Sequence, residues 1–300
     1  MSKKIFILFP ALFLFFFSLF VGIDRFVHRK SLKFSLSKIA AAHEPSDSWD
    51  IPPLHPEEMQ ELDQLFNRSF TFFGKSNHAY LFLSEDHKYV LKFLKRQTLY
   101  PKSWLSYIPL SFNRYYQEHR QKQEEQKKIF NAYKTAFMEF KDETGLIYMH
   151  INPTHTLNKK ISIFDKNGKV YVVELDKASF YVQKRAQLIY PRIAELMRRG
   201  DMDRAKKIIS SVFSLIDHLG KNGVCDHDLS LYKNFGIIDD KAVQLAISKL
   251  QIDHSYALSA SYKRDIPIIT EPFRKWINKN YPALLGHFDE KLNEISKSSK

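Results

Sequence analysis

Residues 70–183 alternate apolar and polar positions in short runs, whereas most of the chain beyond residue 184 repeats its apolar positions near every 3.6 residues. The first pattern predicts strands and the second amphipathic helices. Phe70-Thr71-Phe72-Phe73, Ala79-Tyr80-Leu81-Phe82-Leu83 and Tyr89-Val90-Leu91-Lys92-Phe93-Leu94-Lys95 are separated by polar turns at residues 74–77 and 84–87, which predicts an antiparallel meander. Further strands are predicted over 146–151, 161–164, 170–175 and 180–183. The middle two of these are joined by Asp165-Lys166-Asn167-Gly168, whose Asn-Gly pair is a strong hairpin signal. Between the two groups, residues 114–140 place Tyr115, Ile129, Tyr133, Ala136, Phe137 and Phe140 on one face of a helix. After residue 184 the pattern predicts an amphipathic helix over about 203–219, strands over 235–238 and 242–247 around an Asp239-Asp240-Lys241 turn, and helices over 271–280 and 283–295. A sheet-rich half followed by a helix-rich half predicts an α+β fold with a sheet lobe over 59–183 and a helical lobe over 184–300.

The N-terminal region departs from both patterns. Residues 5–23 form nineteen uncharged positions dominated by Phe, Leu and Ile. As a helix they reach roughly 28 Å, about the thickness of a hydrocarbon core. Residues 1–24 are therefore expected to be a single transmembrane anchor. A cleaved signal peptide is the competing reading, because Lys3 and Lys4 precede the run, but the exit Phe20-Val21-Gly22-Ile23-Asp24 lacks a small-x-small site. Arg25, Arg29, Lys30, Lys33 and Lys38 outnumber the two lysines ahead of the run, which predicts a cytoplasmic main domain and a flank suited to anionic lipid. Residues 25–58, with Pro45, Pro52, Pro53 and Pro56, read as this basic juxtamembrane segment followed by a linker.

Composition narrows the partners. With 44% hydrophobic residues the chain is rich enough for a large core and too apolar for a disordered protein. A net charge of +13 favours anionic partners, meaning phospholipid head groups, nucleotides or nucleic acid. Nucleic acid is the weakest of these, since the charge is spread along the chain and no reader motif is present. Cys225 is the only cysteine, so no intrachain disulfide forms. It reads either as a small buried apolar residue or as a nucleophile with His227 or His218 as base.

The candidate chemistry is concentrated after the 203–219 helix, in Gly223-Val224-Cys225-Asp226-His227-Asp228 and the following Asn234-Phe235-Gly236. Read alone, Asp226, Asp228 and Asn234 are also good turn formers. The order helix, acid loop, Asn, strand resembles the catalytic loop of the protein-kinase-like superfamily, which includes lipopolysaccharide kinases. In that superfamily an Asp orients the acceptor hydroxyl and an Asn binds magnesium. Asp226 stands where the family has His, and Asn234 follows Asp228 by six residues where the family has five. The resemblance implies a two-lobed kinase-like domain with Asp228 as the catalytic carboxylate that orients the acceptor, Asn234 on magnesium, Gly74 in the turn over the ATP phosphates and Lys92 on the third strand contacting them. It also implies a Glu on the long helix pairing with Lys92, with Glu118, Glu124 and Glu125 as candidates, and residues 183–186 as the segment whose backbone receives adenine.

One family position is missing or displaced. A second metal-binding Asp is implied about a dozen residues after the Asn, where this chain has Leu245-Ala246-Ile247-Ser248. If Ala246 occupies that position, the domain is a pseudokinase that binds ATP and magnesium weakly or not at all and acts as a scaffold for an unknown partner. If a longer hairpin brings Asp253 of Gln251-Ile252-Asp253-His254 into place, the domain is an ATP-dependent phosphotransferase on a lipid, sugar or other small acceptor.

Overall fold

The computed structural model describes residues 34–41, 43, 45–96, 113–225, 230–258 and 261–297. Two compact units divide the chain, residues 1–38 and 39–300. In the first, the described part is a 3-10 turn, Leu36–Lys38, closed by the Lys38 N–H donating to the Ser35 carbonyl at 3.0 Å. The apolar run at residues 5–23 lies outside the described residues. Among the described residues no helix is long and apolar enough to cross a membrane.

The second unit is a mixed α+β structure. Its first half is a curled seven-stranded sheet, in the order β4-β7-β3-β2-β1-β5-β6. Strands β1 (Phe70–Lys75), β2 (Ala79–Ser84) and β3 (Tyr89–Leu94) form the meander that alternation predicts, and β7 (Phe180–Lys184) lies between β3 and β4 (Leu146–His150). The hairpin of β5 (Lys160–Phe164) and β6 (Val170–Glu174) extends the sheet beyond β1, with β5 running parallel to it. Asp165 holds the hairpin turn, its carboxylate accepting the N–H groups of Asn167 and Lys169 while Gly168 takes φ +77°. The β1 strand runs two residues further than alternation predicts, through Gly74 and Lys75, because a register shift between Phe72 and Gly74 lets the pairing with β2 continue. Gly74 is thus a strand residue, and the turn is made by residues 76–78.

Strand periodicity gives the sheet two different faces. Phe82, Phe93 and Phe180 line one of them with ring centroids 5.8 and 5.9 Å apart, and helix α1 (Pro56–Phe66) covers them through Phe66. The other face carries Leu81, Lys92 and Tyr181 in one cross-strand row and Val90 and Gln183 in the next. Helix α2 (Asn113–Glu139) closes the far end of this face, where Tyr133 meets Tyr181 at 4.8 Å between rings.

Part of the segment expected to be a linker is built into this unit. Ala40 bridges Ala178, the Trp49 indole N–H donates to Asn131 at 3.1 Å, and Asn152 is bonded to both backbone polar groups of Ser46. Trp49 is buried against Phe130, so residues 39–50 contribute apolar surface to the core and are not a free spacer.

The helical half follows β7. Strand β8 (Gln187–Leu188) leads into α3 (Ile189–Arg198) and α4 (Met202–Lys221), the latter capped by Asp201 accepting from the Arg204 N–H at 3.1 Å. Strands β10 (Phe235–Ile238) and β11 (Lys241–Gln244) form a hairpin whose turn residues Asp239 and Asp240 both have positive φ. Helices α5 (Ser261–Asn280) and α6 (Leu285–Lys297) pack on α4 around Phe213, Phe273 and Phe288.

Candidate functional site

The Lys92 face of the sheet forms one wall of a cleft of about 540 Å³, and residues 233–234 and 245–249 of the helical half form the opposite wall. Strand alternation sends Lys92, Tyr181 and Gln183 into this cleft, and the end of β11 brings up the other side. There Asn234, which closes a one-turn helix (Leu231–Asn234), accepts the N–H of Leu245 at 2.7 Å and that of Ala246 at 3.4 Å with its carbonyl. Those two bonds stop the second strand at Gln244, three residues before the end that alternation predicts, and turn residues 245–249 toward the cleft.

Lys92 is 9% exposed and donates from Nζ to the Leu245 carbonyl at 3.3 Å, with Nζ 5.3 Å from the centre of the Tyr181 ring. Burial pushes its pKa down to about 8. The expected Lys–Glu pair is not made, since among the described residues no carboxylate bridges Lys92. Glu118, Glu124 and Glu125 are all exposed on α2. Glu124 lies 3.9 Å from Lys127, and the charge of Glu125 is felt at His78. His78 lines the cleft with a buried Nδ1 that has no partner. Burial lowers its pKa most strongly, Glu125 opposes that, and Lys95 and Lys249 lower it further.

Gln183 is 1% exposed at the end of β7. Its Nε2 donates to the Thr144 carbonyl at 2.7 Å, which leaves Oε1 buried and unpartnered. Beyond it the N–H groups of Lys184 and Arg185 donate to the carbonyls of Gly145 and Lys88. Those two amides of the expected adenine segment are therefore already bonded. Arg185 and Phe73 face each other at the cleft, with the guanidinium carbon 5.7 Å from the ring centre.

The structure thus brings Lys92, Asn234 and Ala246 to one cleft. Asp228 lies outside the described residues. Gly74 and Asp253 do not line the cleft. A Cβ at Gly74 would meet nothing within 4 Å, so no close approach requires that glycine. Asp253 is exposed, and its Oδ1 accepts from the Ser255 N–H at 2.9 Å and the Ser255 hydroxyl at 2.6 Å. These bonds hold its carboxyl below the usual range. Strand β12 (Gln251–Ile252) pairs with β9 (Val224–Cys225), which fixes the Asp253 N–H on the Gly223 carbonyl at 2.8 Å. His218 faces Glu143 at 3.2 Å, and His227 lies outside the described residues.

Among the described residues no group of three or more His, Cys, Asp or Glu is placed to hold a metal. Of the residues that the resemblance assigns to magnesium, Asn234 lies at the cleft and Asp253 outside it, and the Ala246 side chain offers no oxygen. Sequence reading did not single out Lys75, Lys233, Lys249 or Tyr181, which also line the cleft. Each looks like an ordinary turn, strand or surface residue until the two halves are placed together.

No protein-family model matches the chain, and no curated protein matches it. Among solved structures it is similar to the bifunctional kinase-methyltransferase WbdD, with 15% sequence identity and a TM-score of 0.32 over 72% of this chain. The match spans 43% of that protein's chain.

Proposed function

We propose that this chain is a kinase-like domain with a degenerate active site, which uses its cleft to bind a phosphate-bearing ligand and works as a binding or scaffold module. The observation that carries this reading is the juxtaposition of Lys92 with Leu245-Ala246. The lysine that the family resemblance assigns to phosphate reaches the backbone immediately before the position assigned to the metal-binding Asp. That position is alanine, so the charge neutralisation on which phosphoryl transfer depends has no carboxylate there. Asp253 is committed to Ser255 and to the end of β12.

A specific observation also favours a second reading. Lys92 and Asn234 line the same cleft, which is the arrangement an ATP-dependent phosphotransferase with Asp228 orienting the acceptor would need. The two readings separate on turnover. Phosphate release from ATP by the full-length chain in detergent, with magnesium, is expected to be no faster than that of Lys92→Ala, and Asp253→Ala is expected to leave it unchanged. Turnover well above the Lys92→Ala background and lost in Asp253→Ala would establish the enzyme instead.

A further inference from the structure

The same cleft has a one-sided charge that a degenerate kinase site does not by itself explain. Lys75 at the end of β1, Lys92 on β3, Lys184 and Arg185 at the exit of β7, Lys233 on the one-turn helix and Lys249 beyond Ala246 all contribute to its lining. Among the described residues no Asp or Glu does so, although the whole chain has 33 acidic residues to 46 basic ones. Lys249 also reaches the interior: burial lowers the pKa of His78 most strongly, Glu125 opposes that from the long helix, and Lys95 and Lys249 lower it further. Gathering like charges around a concave, partly desolvated space is unfavourable unless an anion completes it.

The second observation is independent of charge. Two lining residues, His78 and Gln183, keep a buried polar atom without a partner. Such atoms are costly in a cleft that stays empty or takes an apolar guest, and a polar ligand satisfies them.

We propose that the cleft binds a polyphosphate group directly through its own cations, without a divalent metal, a nucleoside triphosphate being the ligand that fits a kinase-like domain. The inference rests on the proposed function in placing the ligand in this cleft. It goes further by assigning to Lys75, Lys233 and Lys249 the charge neutralisation that a metal ion supplies elsewhere. Magnesium then competes for the same phosphate oxygens and lowers the charge of the ligand, so it weakens binding.

The test is calorimetric titration of the full-length chain in a neutral detergent with ATP and with inorganic tripolyphosphate, each in EDTA and in excess magnesium. ATP is expected to bind at least as tightly in EDTA as in magnesium, to weaken as ionic strength rises, and to lose about tenfold or more in affinity in Lys75→Glu and in Lys249→Glu. Binding of ATP only with magnesium would overturn this inference while leaving the nucleotide-site reading in place. Tripolyphosphate binding without any preference for ATP would uphold the metal-free polyphosphate site and sink the nucleotide reading. Absence of binding by both ligands in both buffers, from protein that unfolds cooperatively, would overturn the two together.

Discussion

An ammonium group that is 9% exposed, with no carboxylate bridging it among the described residues, is a cost to the folded state. Lys92 meets that cost in part through the Leu245 carbonyl and the Tyr181 ring, and the remainder appears as a pKa pushed down to about 8 by burial. A change of that size from the ordinary 10.5 corresponds to about 3 kcal/mol. Lys92→Met, which keeps most of the length of the side chain and removes the charge, is therefore expected to stabilise the ligand-free protein by about 1–3 kcal/mol at pH 7 while abolishing anion binding. The pH dependence has a definite sign. Below pH 8 the folded state carries the full penalty of a buried cation. Between about 8 and 10.5 the folded protein has released a proton that the unfolded chain still holds, so the wild type gains stability as pH rises. The advantage of Lys92→Met in denaturant unfolding should shrink across that window. An advantage that stays constant from pH 7 to 10 would mean that Lys92 is not the buried cation described.

At the scale of elements, Gly223 couples the acid loop to the segment that carries Asp253. It sits at φ +75° directly after α4 and accepts the Asp253 N–H with its carbonyl, and a Cβ added to it would lie 2.7 Å from the Asp253 carbonyl oxygen. Gly223→Ala combines left-handed backbone with a clash against main chain, and is expected to cost about 1–3 kcal/mol in urea unfolding. Gly74→Ala, with open space around it, is expected to cost less than about 1 kcal/mol. Equal losses at the two positions would contradict the geometry. The helix Ser261–Asn280 shows where local rules were overruled. The pattern predicts a helix only from residue 271, yet it begins at Ser261 and carries Pro267 and Pro272 within it. Tyr262, Ile266, Thr270, Phe273 and Ile277 form a buried stripe along it, and the Thr270 hydroxyl donates to the Ile266 carbonyl at 2.8 Å. Burial of that stripe offsets the bonds that the prolines remove.

On the scale of the whole molecule, the main body and the N-terminal run pose separate questions. The run at residues 5–23 is expected to anchor the chain in a membrane, with the basic residues after it on the cytoplasmic side. The full-length chain should then remain in the membrane pellet after alkaline carbonate extraction, and a protease added to sealed cells should leave the domain intact. Release into the carbonate supernatant would remove the anchor, and cleavage by external protease would reverse the topology. Over the whole chain, the balance of 46 basic and 33 acidic residues points to an anionic partner but not to its location. Folding concentrates cations in one cleft and leaves acids such as Glu118, Glu124 and Glu125 exposed on a helix outside it.

Alternation and helical period alone determined the meander, the Asn167-Gly168 hairpin, the long helices read over 114–140 and about 203–219 and the change from sheet to helix, because each depends on neighbours a few residues away. They also placed Lys92 on the third strand and Asn234 before the β10–β11 hairpin. Tertiary structure decided everything that depends on distant segments: β5 lying parallel to β1, residues 39–50 packing into the core, and β12 holding Asp253 against Gly223. It also decided that Lys92 meets Leu245 from 153 positions away in the chain and, among the described residues, meets no glutamate on the long helix. A lysine in a strand or a glutamate on a helix has the same local pattern whether it faces water or a cleft. Only the packing of the sheet against the second half of the chain fixes which side chains share a low-dielectric space, and that sharing sets their charge, their partners and their chemistry.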